Sequence, residues 1–224
     1  MIRRDYILRM LAEFFEALSR LRALKKGQLW REAHISVEHE FQRLLGCDAA
    51  TAAKLTETEL LARLIQGEPT QAVREKTLIL TTLLKEAGDI AVAEGREGEG
   101  QNSYLKGLHL LLDVMAREGL ADYPDFVPRV EVFVAALADS VLPLATQAML
   151  MQHYEQTGQF AKGEDVLFSM LETEPDNPNL VNFGIAFYER LRGQSDTNLV
   201  AGNLPRPELE AGLAELQRKP LATS

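Results

Sequence analysis

Apolar side chains recur along this chain every three or four positions, and the rhythm runs almost unbroken. Ile7, Met10, Leu11, Phe14, Leu18, Leu21 and Leu24 trace one face of a helix over about residues 2–25. Gly27 interrupts it, and a second helix is predicted from about 29 to 45, stopped by Gly46. Asp48 can cap a short helix. Thr56, with Glu59 three residues on, forms a capping box for another that ends near Gly67. After Glu68-Pro69-Thr70 the pattern predicts a long helix at 71–94, a turn from Gly95 to Gly100 and a helix ending near Arg117. Pro124, Pro128 and Pro143 frame a helix at 126–139, and further helices follow at 144–157, 161–173 and 179–192. A polar stretch, 193–205, precedes a last helix at 206–218, and 219–224 is expected to be a disordered tail. Strand-type alternation never persists, and the β-branched stretch Thr77–Thr82 sits inside a helical pattern. The expectation is an all-α protein.

A second regularity lies above the helical one, at a period near 34 residues. Leu150-x3-Tyr154-x3-Gly158-x-Phe160-x2-Gly163-x3-Leu167-x7-Pro175 resembles a tetratricopeptide repeat. In that pattern a large residue ends the first helix, glycine makes the turn, an aromatic follows, a small residue lets the helices touch, and proline stops the second helix. A second copy reads Ala87-Gly88-x2-Ala91-x3-Gly95-x4-Gly100-x3-Tyr104-x2-Gly107-Leu108, with Glu97 in place of the aromatic. A third, Leu24, Gly27, Trp30, Ala33 and Phe41, has its turn one residue out of step, and Gly184-x3-Tyr188 begins a half-copy completed by 206–218. Gly88 and Gly163 are expected where paired helices touch. Arg4-Asp5-Tyr6-Ile7, Leu44-Leu45-Gly46, Ala186-Phe187-Tyr188-Glu189-Arg190-Leu191 and Ala201-Gly202-Asn203-Leu204-Pro205 resemble a bacterial family of uncharacterised function with tetratricopeptide-like hairpins. The resemblance implies stacked antiparallel hairpins, a tetratricopeptide-like α-solenoid, and no activity. The expected organisation is an irregular N-terminal helical segment with a degenerate repeat (1–67), a repeat domain (68–218) and the tail, or all of it as one continuous domain.

Charge narrows the partners. The formal net charge is -9, which disfavours nucleic acid and anionic membrane surfaces as principal partners. No apolar run approaches the roughly 18 residues of a membrane span. Arg3-Arg4 resembles a twin-arginine signal, but Glu13, Glu16, Arg20 and Arg22 interrupt the apolar region such a signal needs. With Cys47 the sole cysteine, no internal disulfide forms, and the expected location is cytoplasmic.

Candidate chemistry is sparse, and no cofactor or metal is implied. His34 and Glu38 share a helix face at metal-pair spacing without a visible third ligand, and His39 points elsewhere. His109 and His153 stand alone on helices, read as packed histidines rather than bases. Cys47 follows a helix C-terminus, where the dipole disfavours a thiolate. Gly95-x2-Gly98-x-Gly100 follows a helix rather than a strand, so it reads as a turn and not as a phosphate loop. Stacked hairpins would present a concave surface lined by the first helix of each pair. Matching the copies puts Lys85, Asp89, Gln152, Glu155, Gln156, Asn179, Asn182, Glu189 and Arg190 on it, with Asn182, Glu189 and Arg190 central to binding. Asp89, where a carboxylate clamp needs asparagine, argues against a receptor for C-terminal carboxylates. The function expected is a non-catalytic scaffold for a protein or peptide. Its alternatives are an enzyme or small-ligand protein with a groove site, and a structural self-associating protein. The apolar arc of the first helix wants two neighbours, and Leu8 and Phe15 at its edge are candidates for a homodimer face.

Overall fold

The computed structural model describes residues 2–66, 70–118, 123–175 and 177–218, and all regular structure among them is helical. The Gly67 stop, the Glu68-Pro69 punctuation and the 219–224 tail lie outside the described residues. The chain divides into two compact units, at Val141 and Leu142. The division expected at 67/68 runs within the first.

The first unit holds α1 (Ile2–Lys26), α2 (Trp30–Leu45), α3 (Ala49–Lys54), α4 (Glu57–Ile65), α5 (Thr70–Ala93), α6 (Glu97–Glu118) and α7 (Val130–Ala136). α5 is its axis: α1, α2, α4 and α6 all pack against it, burying Leu78, Ile79, Leu80, Leu83 and Leu84. Thr77, Thr81 and Thr82 are buried within this helix. Thr77 and Thr82 donate their hydroxyls to the carbonyls of Val73 and Leu78, so β-branched residues are accommodated without strand formation. α5 and α6 are antiparallel and closely packed. A Cβ at Gly88 would collide with the ring of Tyr104, one at Gly100 would lie 2.6 Å from Val92, and one at Gly107 would lie 2.6 Å from Phe133. Gly98 and Gly100 belong to α6, whereas Gly95 is in the turn. The helix expected at 126–139 is shorter, because Pro128 bars its predecessor Val127 from helical geometry and α7 starts beyond it.

The second unit holds α8 (Leu144–Gln156), α9 (Phe160–Thr173), α10 (Pro178–Arg192), α11 (Asp196–Ala201) and α12 (Arg206–Arg218). Its core gathers Met151, Phe160, Leu167, Phe187, Tyr188 and Leu213. Gly163 of α9 faces Phe187 of α10, where an added Cβ would sit 3.3 Å from the ring. α10 and α12 run antiparallel, Gly184 facing Leu216 and Gly212 facing Tyr188. α11 lies within the polar stretch 193–205. Ser195 caps it by accepting from the Asn198 amide at 3.1 Å, and its Leu199 is fully buried.

Four helices end in one way. The amides of Leu29, Arg96, Gln159 and Leu204 bond back to the carbonyls of Leu24, Ala91, Tyr154 and Leu199 at 2.8–3.0 Å, closing a Schellman turn. The left-handed residue in each is Gln28, Gly95, Gly158 or Asn203. The break expected at Gly27 thus falls at Gln28, with φ 57°. After the first three turns the next helix begins two residues beyond the left-handed one, at Trp30, Glu97 and Phe160.

Candidate binding groove

In the second unit α8 and α10 wall a cleft of about 500 Å³. α8 turns Met151 and Tyr154 into the core and leaves Gln152 and Gln156 exposed, a division that its 3.6-residue period imposes. Met149, Gln152 and Gln156 follow one another at i, i+3 and i+7, and all three line the cleft. From α10 come Phe183 and Arg190, also seven residues apart. The two walls are tied by a bidentate pair: Arg190 donates from Nε and Nη2 to the two oxygens of Glu155, at 2.7 Å each. That hydrogen-bonded contact holds the guanidinium firmly in its charged form. The arrangement offers an apolar floor, free amide groups and a charge pair that cancels itself.

Behind this wall Tyr188, fully buried, donates its hydroxyl to Glu164 at 2.5 Å. Burial pushes the Glu164 carboxyl above its ordinary value, the Tyr188 bond pulls it part of the way back, and Glu208 and Asp165 add to the rise. The phenol is pushed up as well, by burial and by that carboxylate.

Four residues singled out from the sequence, Gln152, Glu155, Gln156 and Arg190, share this cleft. Asn179 and Asn182 are exposed on α10 outside its lining, and the Asn179 amide donates to the Asn177 side chain that caps the helix. Glu189 pairs instead with Arg192, at 3.4 Å. Lys85 and Asp89 belong to the first unit. Asp89 is held there by Lys25, by Lys85 at 2.6 Å and by the Tyr104 hydroxyl at 2.9 Å. Burial raises the Asp89 carboxyl, but the bonds and charges of Lys25 and Lys85 outweigh it, and the net result is a lowered pKa. Lys25 also binds Glu86, whose side chain is 3% exposed. Sequence reasoning missed Lys25 and Glu86, and it missed the apolar lining residues Met149 and Phe183, although their i+3 and i+7 spacing to the chosen residues was visible.

Leu8 is 55% exposed on α1; Phe15 is 45% exposed, with its ring 5.2 Å from that of Phe126. His34 lies 3.7 Å from Glu38 in a separate cleft of about 470 Å³, beside Arg96. Glu38 is engaged in receiving the Ala49 amide at the start of α3, at 2.9 Å. Among the described residues no three His, Cys, Asp or Glu side chains form a group that could hold a metal. Cys47 is buried, which raises its thiol pKa. No helix among the described residues is long and apolar enough to cross a membrane.

These features define an all-helical protein of two compact units, with a polar-rimmed cleft in the second. Residues 1–220 match the family of unknown function DUF6483, and the chain belongs to it. No curated protein and no solved structure matches it.

Proposed function

We propose that this protein is a non-catalytic scaffold of tetratricopeptide-like hairpins that binds a protein or peptide through the α8–α10 cleft. The carrying observation is the cleft itself: two exposed amides, Gln152 and Gln156, over Met149 and Phe183, with Glu155 and Arg190 neutralising each other. The recurrence of one helix-ending turn at Gln28, Gly95 and Gly158, each followed by a helix at the same offset, supports the repeat reading. Placing a photo-crosslinking amino acid at Gln152 or at Glu172, on exposed positions of α8 and α9, tests the proposal in cells. Adducts from position 152 alone are expected; equal adducts from both, or none, would refute it.

A second reading concerns α1, where Leu8 remains 55% exposed although the helix packs on both α2 and α5. Self-association through this edge predicts a dimer by light scattering at tens of micromolar that Leu8→Glu converts to monomer. A wild-type monomer at that concentration would eliminate it.

A further inference from the structure

We infer that the α8–α10 cleft takes an internal, uncharged peptide segment in extended conformation, with apolar side chains at alternate positions; this rests on the reading of the cleft as a binding groove. Gln152 and Gln156 stand one helical turn apart on the exposed side of α8, and neither amide is engaged by another described residue. Their Cβ atoms are therefore about 5–6 Å apart. An extended chain repeats its backbone groups on one side every two residues, about 6.6–6.8 Å, a step that two flexible glutamine side chains can span. Each carboxamide carries donors and an acceptor, so each can meet both the N–H and the C=O of one peptide residue. A helical ligand has those groups already bonded internally and would gain nothing from the amides.

The intervening side chains of such a peptide point the other way. Met149 and Phe183 lie on the two walls, each partly exposed, and Met149 can adjust to apolar groups of differing shape. Charge selects against other ligands. Among the described residues Arg190 is the one cation lining the cleft, and two of its N–H groups are engaged by Glu155 through bonds of 2.7 Å. A free C-terminal carboxylate would meet a guanidinium whose charge Glu155 already neutralises, and a cationic side chain would meet a carboxylate that Arg190 already neutralises. An uncharged internal segment needs no charge partner.

The test uses the full-length protein and an array of N-acetylated, C-amidated heptapeptides. In one set leucine, methionine or phenylalanine alternates with serine or asparagine; a control set carries lysine, glutamate or a free C-terminus. Retention of the uncharged alternating set is expected. Affinity should change less than about twofold between about 50 mM and about 500 mM NaCl, because no net charge is exchanged. N-methylation along the best peptide should weaken binding at every second residue, and Gln152→Ala with Gln156→Ala should weaken it at least about tenfold, the loss expected for two backbone contacts. Preference for the control set, a strong salt dependence, an N-methylation profile without alternation, an unaffected double variant or no binding by either set would overturn the assignment. The photo-crosslinking result is independent of these readouts. Adducts at position 152 without the alternating profile would leave a binding groove whose ligand is not an extended strand.

Discussion

Each unit pairs a carboxylate with a buried tyrosine, and they do so with opposite electrostatic consequences. In the first unit Asp89 meets Tyr104, but Lys25 and Lys85 reach it as well, and its pKa falls below the usual carboxylate value. In the second, Glu164 meets Tyr188 alone, with Glu208 and Asp165 nearby, and its pKa rises. A phenol donor supplies one hydrogen bond; it does not replace a charge. The same pairing therefore stabilises an ionised acid where cations surround it and leaves a reluctant one where they do not.

Removing the cations should produce the largest effect. Lys25→Ala leaves Glu86 buried without its nearest partner and Asp89 with one lysine fewer. A loss of about 3 kcal/mol is expected in urea unfolding, the low end for a broken buried pair because Arg22 and Lys85 remain near Glu86. A loss below about 0.5 kcal/mol, the size of a surface effect, would show that the network is ornamental.

Packing gives the next contrast. Gly88→Ala forces a methyl into the Tyr104 ring and should cost about 1–3 kcal/mol. Gly163→Ala meets Phe187 at 3.3 Å, close enough to require only a small shift, and the helix preference of alanine offsets it by up to about 1 kcal/mol. Thermal melts of the two proteins should therefore separate, with Gly163→Ala near wild type; coincident melts would contradict the difference in closeness.

The pH dependence should split by sign. Asp89 has its folded pKa below the unfolded one. Its contribution is complete above about pH 4 and is lost as pH falls through the folded value, so the deficit of Asp89→Asn should vanish in strong acid. Glu164 has its folded pKa raised, so the folded protein binds the proton more tightly. Ionised Glu164 then weakens the fold above that pKa, and stability rises as pH falls through it toward the unfolded value. Glu164→Gln keeps an acceptor for Tyr188 and should match or exceed wild type by about 1 kcal/mol at pH 7, the advantage closing near pH 4.5. Urea melts of both variants from pH 7 to pH 3 check this; a Glu164→Gln deficit that grows with pH would reverse the sign. The smallest effect belongs to the caps: Thr56→Ala in the first unit and Ser195→Ala in the second should each cost about 0.5 kcal/mol, the low end for a cap, measured by the same melts.

What the sequence disclosed follows from how each signal is written. Long amphipathic helices announce themselves by period, and the Thr56–Glu59 box by its local spacing. The six residues of α11 bury only Leu199, too little for any period to register. Gln28 escaped notice because a glycine stands beside it, and left-handed geometry is ordinarily assigned to glycine. Half of the cleft was legible because matching repeat copies put Gln152, Glu155, Gln156 and Arg190 on a common side. The Lys25–Asp89 contact joins residues 64 apart, and long-range pairing leaves no mark in local pattern.

Gln28 and Asn203 also say something about how this chain can be improved. Both hold a backbone shape that suits glycine, at φ 57° and 58°. A side chain there costs about 1 kcal/mol, more for glutamine than for asparagine. No single base change turns a glutamine or asparagine codon into a glycine codon, so error-prone mutagenesis seldom samples the relieved version. A synthetic gene carrying Gln28→Gly is expected to gain heat tolerance that random drift through neighbouring codons passes by.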